Sequence, residues 1–187
     1  MKPKKILGSN EIEIILNRLS YQLIEDFNSF EETVLIGIQP RGANLAKKIS
    51  GLIDFLNPDN NLKLGFLDIT FFRDDFRRSK KVLNASSTQL EFSVENKTVV
   101  LVDDVLFTGR SVNAALNAIQ SFGRPKAIKL LILIDRRFSR ELPIQPDYCG
   151  LQVDSRLNQK VIVNCKKYDV YDSVYLINDD NGWFKCK

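Results

Sequence analysis

Val99-Val100-Leu101-Val102-Asp103-Asp104-Val105-Leu106-Phe107-Thr108-Gly109-Arg110-Ser111 is the stretch that decides the fold. Its aliphatic run reads as a strand buried on both faces, as in a parallel sheet. Two carboxylates follow where that strand should end, then a short loop closed by Thr-Gly-Arg-Ser. Beyond it Val112, Ala115, Leu116, Ile119 and Phe122 recur at helical spacing, with Gly123 where a helix C-terminus favours glycine. Open α/β sheets bind ligands at the carboxyl ends of their strands, and backbone N–H groups entering a helix suit a phosphate. Loop hydroxyls add donors to the same anion. Asp103 and Asp104 would repel a phosphate, so they suit ribose hydroxyls, or a divalent cation reached through water. The plainer alternative is an Asp pair that only caps the next helix.

The chain has 187 residues, enough for one domain with a sizeable core. No apolar run approaches bilayer length and the Met-Lys-Pro-Lys-Lys start lacks a signal-peptide core, which predicts a soluble cytoplasmic protein. Cys149, Cys165 and Cys186 show no Cys-x-x-Cys spacing, which argues against a disulfide framework or zinc site and for a reducing compartment. There is no histidine, so chemistry must rest on carboxylates, Arg, Lys, backbone groups and bound metal. A net charge of +4 fits an anionic ligand and permits RNA.

In chain order, Ile12, Ile15, Leu16, Leu19, Leu23 and Phe27 form one apolar face of a helix over 10–27, opened by an Asn10/Glu13 capping box. Residues 33–38 read as a second buried strand, ending in Gly37-Ile38-Gln39-Pro40-Arg41-Gly42. A helix with Leu45, Ala46, Ile49, Leu52, Ile53 and Leu56 follows, stopped by Asn57-Pro58. Arg41 and a Gly42 turn at a strand's carboxyl end suit a second anion, plausibly pyrophosphate, although Arg-Gly alone is a weak signal. Residues 63–72 read as a third strand. The polar stretch 76–97 lacks helical periodicity and reads as a functional loop or β-hairpin arm, its basic run Arg77, Arg78, Lys80 and Lys81 included. Residues 126–134 read as a further buried strand, and short apolar runs near Tyr148, 161–163 and 174–177 as sheet edges.

The 99–111 segment resembles the phosphoribosyl-diphosphate (PRPP) signature of type I phosphoribosyltransferases. With Gly37-Ile38-Gln39-Pro40-Arg41-Gly42, Leu67-Asp68-Ile69-Thr70-Phe71-Phe72-Arg73-Asp74-Asp75, and Asp135-Arg136 leading to Arg140-Glu141-Leu142-Pro143-Ile144, the chain is similar to the pyrimidine operon regulators. These are uracil phosphoribosyltransferases that in many bacteria also bind pyrimidine messenger RNA. The resemblance implies an α/β type I phosphoribosyltransferase fold: a single domain over 1–187, with a central parallel sheet flanked by helices. A small hood is expected from about 135–160 plus the N-terminal segment, and a flexible β-arm loop over about 76–97.

The reaction implied is uracil plus PRPP to UMP plus pyrophosphate, with Mg²⁺ carried on PRPP and held indirectly by Asp103 and Asp104. Asp103, Asp104 and Arg41 are the implied catalytic residues. Pro40, Arg41 and Gly42 would meet pyrophosphate, and Asp103 to Ser111 (Val105, Leu106, Phe107, Thr108, Gly109 and Arg110 included) the ribose and 5′-phosphate. Arg136 and Val153 would face the base. A homo-oligomer is implied as well. The family usually reads Asp-Arg-Gly-His-Arg-Glu-Leu-Pro, whereas this chain has Asp135-Arg136-Arg137-Phe138-Ser139-Arg140-Glu141-Leu142-Pro143, one residue longer. On the family's RNA face Arg18 is kept, while Asp26, Gln145 and Leu151 stand where Arg or Lys is usual, which weakens phosphate contact. Two alternatives follow: an RNA-binding regulator with secondary catalysis, or a PRPP-dependent transferase for another nucleobase.

Overall fold

A computed structural model describes residues 3–27, 29–74, 86–155, 158–165 and 172–178. In chain order the elements are β1 (Lys4–Leu7), α1 (Ser9–Asp26), β2 (Thr33–Ile38), α2 (Arg41–Leu56), β3 (Lys63–Leu67), β4 (Thr98–Leu106), α3 (Arg110–Gln120), β5 (Ala127–Arg137), β6 (Tyr148–Asp154), β7 (Gln159–Asn164) and β8 (Ser173–Asn178). Five strands form one sheet in the order β3-β2-β4-β5-β6, parallel throughout. A second, antiparallel sheet has the order β1-β8-β7.

The aliphatic runs become strands because both faces of the large sheet are covered. Alternate side chains separate into two cores. Leu35, Val100, Val102, Leu131 and Leu133 pack under α1 and α2 with Leu16, Leu19, Ile49 and Ile53. Val34, Ile36, Leu101, Leu130 and Ile132 pack under α3 with Val112, Ala115 and Ile119. The first core also takes in Leu7, Val163 and Val174, so the small sheet rests on the same helices.

Local differences from the sequence reading have physical causes. Helix α1 begins at Ser9, and the Gly8 N–H donates to the Glu11 carboxylate at 2.9 Å, so a one-way capping contact sits two residues before the expected Asn10/Glu13 pair. Strand β3 stops at Leu67 because the Asp68 carboxylate accepts from the Thr70 N–H (2.7 Å) and hydroxyl (2.5 Å), which opens a 3₁₀ turn over Thr70–Phe72. Helix α3 ends at Gln120, short of Phe122, and β5 runs on to Arg137. Strand β1 offered only Ile6 and Leu7 beside two lysines, too short an apolar run to read as a strand.

Residues 135–137 and 148–154, inside the stretch assigned to a hood, are strands of the large sheet; β1, β7 and β8 make the smaller one. Part of the 76–97 stretch is pinned: Phe66 and Gln89 exchange backbone hydrogen bonds at 2.9 and 2.8 Å, and Val94 is fully buried. Its residues 76–85, with Arg77, Arg78, Lys80 and Lys81, lie outside the described residues.

Helix α2 starts against the end of β4. A Cβ on Gly42 would stand 2.3 Å from the Val102 carbonyl oxygen and 3.0 Å from the Asp103 Cα. Both neighbours are backbone, so neither can rotate aside. The sequence reading gave Gly42 to a turn for an anion; the structure uses it for this close approach. Gly42→Ala is expected to lower stability by about 1–3 kcal/mol, the usual cost of overpacking, read as a lower melting temperature with the helix content kept.

Candidate active site

The carboxyl ends of β2, β3 and β4 meet at a cavity of about 440 Å³. Pro40 and Arg41 line it from the start of α2, Thr70 and Arg73 from the turn after β3, and Asp103, Asp104, Val105 and Ser111 from β4 and α3. One topological position gathers them, the place where α/β sheets hold ligands. Arg41, Asp103 and Asp104 are therefore brought together from segments more than 60 residues apart.

Each acid of the pair is fixed by a backbone contact. The Asp104 N–H donates to the Asp103 carboxylate at 2.9 Å, and the Val105 N–H to the Asp104 carboxylate at 2.9 Å. The Arg41 guanidinium stands 3.7 Å from Asp104. Burial pushes the Asp103 carboxyl well above its ordinary range, and the neighbouring Asp104 charge adds to this. Burial also raises Asp104, with Arg41 acting against the shift.

The Thr108–Ser111 loop leads directly into α3. Gly109 has φ +93°, a backbone that disfavours any side chain, and its Cα faces Leu142 and Ile144. The Thr108 carbonyl accepts from the Glu141 and Leu142 N–H groups at 3.0 and 3.2 Å. The Arg110 side chain turns outward, pairing with Asp74 and with Glu141 (2.5 Å), so only its backbone faces the loop. Leu106 is buried in β4, and Phe107 lies under the Arg136 guanidinium, 3.8 Å from ring centre to Cζ.

Arg136 and Val153 are register partners on β5 and β6, and neither lines the 440 Å³ cavity. Arg136 is buried, donates to the Ser155 hydroxyl at 2.8 Å and to the Gln159 carbonyl at 2.6 Å, and has its pKa lowered by burial. Val153 packs its side chain on the first core. In the lengthened segment, Phe138 is exposed with φ +65°, a conformation costly for an aromatic residue, and the buried Ser139 hydroxyl has no hydrogen-bond partner.

Sequence reasoning gave no role to Thr70, Arg73 or Arg140. Arg73 follows a strand's carboxyl end much as Arg41 does, which is the signal that could have found it. Arg140 left no local signal, since its partners come from β4, β5 and the 140–144 segment itself. On α1, Arg18 donates to the Cys149 and Gly150 carbonyls (2.9 and 2.7 Å), and Asp26 accepts from the Tyr148 hydroxyl at 2.7 Å. Both side chains thus hold the helix to the edge strand β6.

The model of the phosphoribosyl transferase domain matches residues 4–172. This chain is a member of the phosphoribosyltransferase family. It is similar to proteins named bifunctional protein PyrR: 41% identical to that of Haemophilus ducreyi over 96% of this chain and 99% of that protein. It is 44% identical to the one from Caldicellulosiruptor bescii over 90% and 91%. It therefore belongs to the PyrR family, the family that the Asp-Ile-Thr-Phe-Phe-Arg-Asp-Asp block had indicated. Among solved structures, a hypoxanthine-guanine phosphoribosyltransferase from Bacillus anthracis superposes with a TM-score of 0.68 at 18% identity, covering 95% of this chain and 99% of that one. That likeness carries the type I phosphoribosyltransferase fold.

The raised pair gives a pH signature. A carboxyl whose pKa is higher in the folded chain contributes most stability at low pH, where both states hold the proton, and loses it as pH rises through the folded value. Asp103→Asn, which keeps the shape and the acceptor for the Asp104 N–H, is expected to raise the melting temperature of the ligand-free protein at pH 7. The difference from wild type should vanish towards pH 4 and grow as pH rises, read by calorimetry across that range.

Proposed function

We propose that this phosphoribosyltransferase joins uracil to the ribose of PRPP, giving UMP and pyrophosphate. The observation that carries the reading is the meeting of Asp103, Asp104 and Arg41 in one cavity beside the Thr108–Ser111 turn. The C1–O bond to pyrophosphate breaks, the C1–N bond to the base forms, and the N–H proton of the base passes to the departing pyrophosphate. Asp103 and Asp104 accept hydrogen bonds from the ribose hydroxyls and place negative charge near the cationic sugar of the transition state. Arg41, with Pro40 and Gly42 shaping the turn, faces the departing pyrophosphate, and Arg73 adds a second cation on the same wall. Backbone groups from Thr108 to Ser111 take the 5′-phosphate at the start of α3. Arg136 and the chain near Val153 face the base through backbone groups, since their side chains are held by Ser155, Gln159 and the core.

Mg²⁺ fits this donor set. Among the described residues no group of three or more acidic or cysteine side chains could cage a metal alone. Two adjacent carboxylates on a cavity suit an ion held through water and by diphosphate oxygens. When bound, the ion neutralises charge on the leaving group.

Two further properties belong to the same reading. The protein works in the cytoplasm as a homo-oligomer, and no helix among the described residues is long and apolar enough to cross a membrane. Binding of pyrimidine-gene leader RNA is favoured by the word bifunctional in the relatives' name. With Arg18 held on β6 and Asp26 on Tyr148, few cations are left for phosphates, so that binding is weak and its salt dependence shallow, which a gel shift at two salt concentrations measures.

A PRPP-dependent turnover assay with Mg²⁺ against uracil, hypoxanthine, guanine and orotate tests the main reading. UMP formed from uracil alone is the expected result, and turnover of another base instead would discard the uracil assignment. Asp104→Asn is expected to lose about 10²-fold in turnover while remaining folded, the scale of one lost electrostatic contact to a transition state.

A further inference from the structure

The 140–144 segment is used by none of the roles above, yet Arg140 is the most heavily bonded side chain around the site. Its guanidinium donates to the Ile144 carbonyl at 3.0 Å, the Leu106 carbonyl at 3.2 Å, the Arg136 carbonyl at 3.1 Å and the Phe107 carbonyl. It also pairs with the Asp135 carboxylate, which is 6% exposed. The next two residues continue the pattern, since the Glu141 and Leu142 N–H groups both donate to the Thr108 carbonyl. The carbonyls of Leu106, Phe107 and Thr108 are therefore all drawn towards one segment.

A trans peptide is planar, with its C=O and following N–H pointing in opposite directions. Pulling those three carbonyls to one side turns the N–H groups of Phe107, Thr108 and Gly109 to the other. Among the hydrogen bonds of the described residues, none uses the Thr108 or Gly109 N–H. Leu142 and Ile144 close the back of Gly109, the residue whose φ of +93° the turn requires. Successive N–H groups aimed one way form an anion-binding concavity.

We infer that Arg140 is a positioning residue that sets the direction of the Thr108–Gly109 N–H groups and so gives the site its affinity for the 5′-phosphate. This rests on the phosphate reading of the Thr108–Ser111 turn. Arginine is needed because one planar group must reach carbonyls on β4, β5 and the 140–144 segment at once. Lysine would neutralise Asp135 but donates from a single point.

The test compares the dissociation constants of UMP and uridine, which share every group except the 5′-phosphate. They are measured by calorimetry for wild type, Arg140→Lys, and the charge-neutral double variant Asp135→Asn/Arg140→Gln, which avoids stranding a buried carboxylate. Wild type is expected to prefer UMP strongly. Either folded variant should narrow the UMP-to-uridine ratio by about tenfold or more, with uridine affinity little changed. A purely structural role would weaken both ligands together or neither, and an unchanged ratio in Arg140→Lys overturns the inference. A wild type that binds uridine as tightly as UMP would instead remove the phosphate reading, and this inference with it.

Discussion

The active site depends on how closely helix α2 approaches the end of β4. With no side chain on Gly42, the first turn of α2 lies against the Val102 carbonyl and Asp103. That contact brings Arg41 to within 3.7 Å of Asp104. Any residue larger than glycine would move the guanidinium away from the pair and leave two half-buried carboxylates with less opposing charge. The parallel sheet supplies the rest, since β2, β3 and β4 end side by side and each delivers its loop to the same cavity.

Much of this was legible because it is local. The run 99–102 reads as a covered strand and is one, Thr33–Ile38 was bounded correctly, and the Thr-Gly turn and α3 followed in order, although pairing with β5 carries β4 on through the Asp pair to Leu106. What was not legible depends on tertiary contact or on competition between close alternatives. Asp68 ends β3 early because its carboxylate captures the Thr70 N–H and hydroxyl, against a strong β propensity in the residues that follow. Lys4–Leu7 is a strand only because β8 pairs with it. Arg110 sits in the right motif yet sends its side chain to Asp74 and Glu141, and Arg140 acquires its importance from partners up to 34 residues away. Residue type and spacing reveal which groups reach a site, and they reveal poorly which groups hold the site in shape.

The same distinction separates this chain from the family pattern in the segment after β5. Phe138 adopts φ +65° where a glycine would be comfortable, and Ser139 buries an unpaired hydroxyl. Both features cost stability. Yet Arg140, immediately after them, bonds to carbonyls at the end of β4 and on β5 and pairs with Asp135. The strained residues therefore lie directly beside the clamp.

Electrostatically the site is built out of balance. Asp103 and Asp104 are pushed towards their protonated forms by burial, and the Arg41 guanidinium, 3.7 Å from Asp104, opposes this only in part. At the neighbouring turn, carbonyls are all satisfied and N–H groups face outward. A lone anion would suit the turn and be repelled by the acids, while a lone cation would suit the acids and be repelled by Arg41. Under the proposed function a sugar phosphate resolves both, since its hydroxyls would donate to the carboxylates and its phosphate would accept from the turn. On that proposal, the stability forgone in burying two carboxylates is the source of selectivity for a ligand carrying both kinds of group.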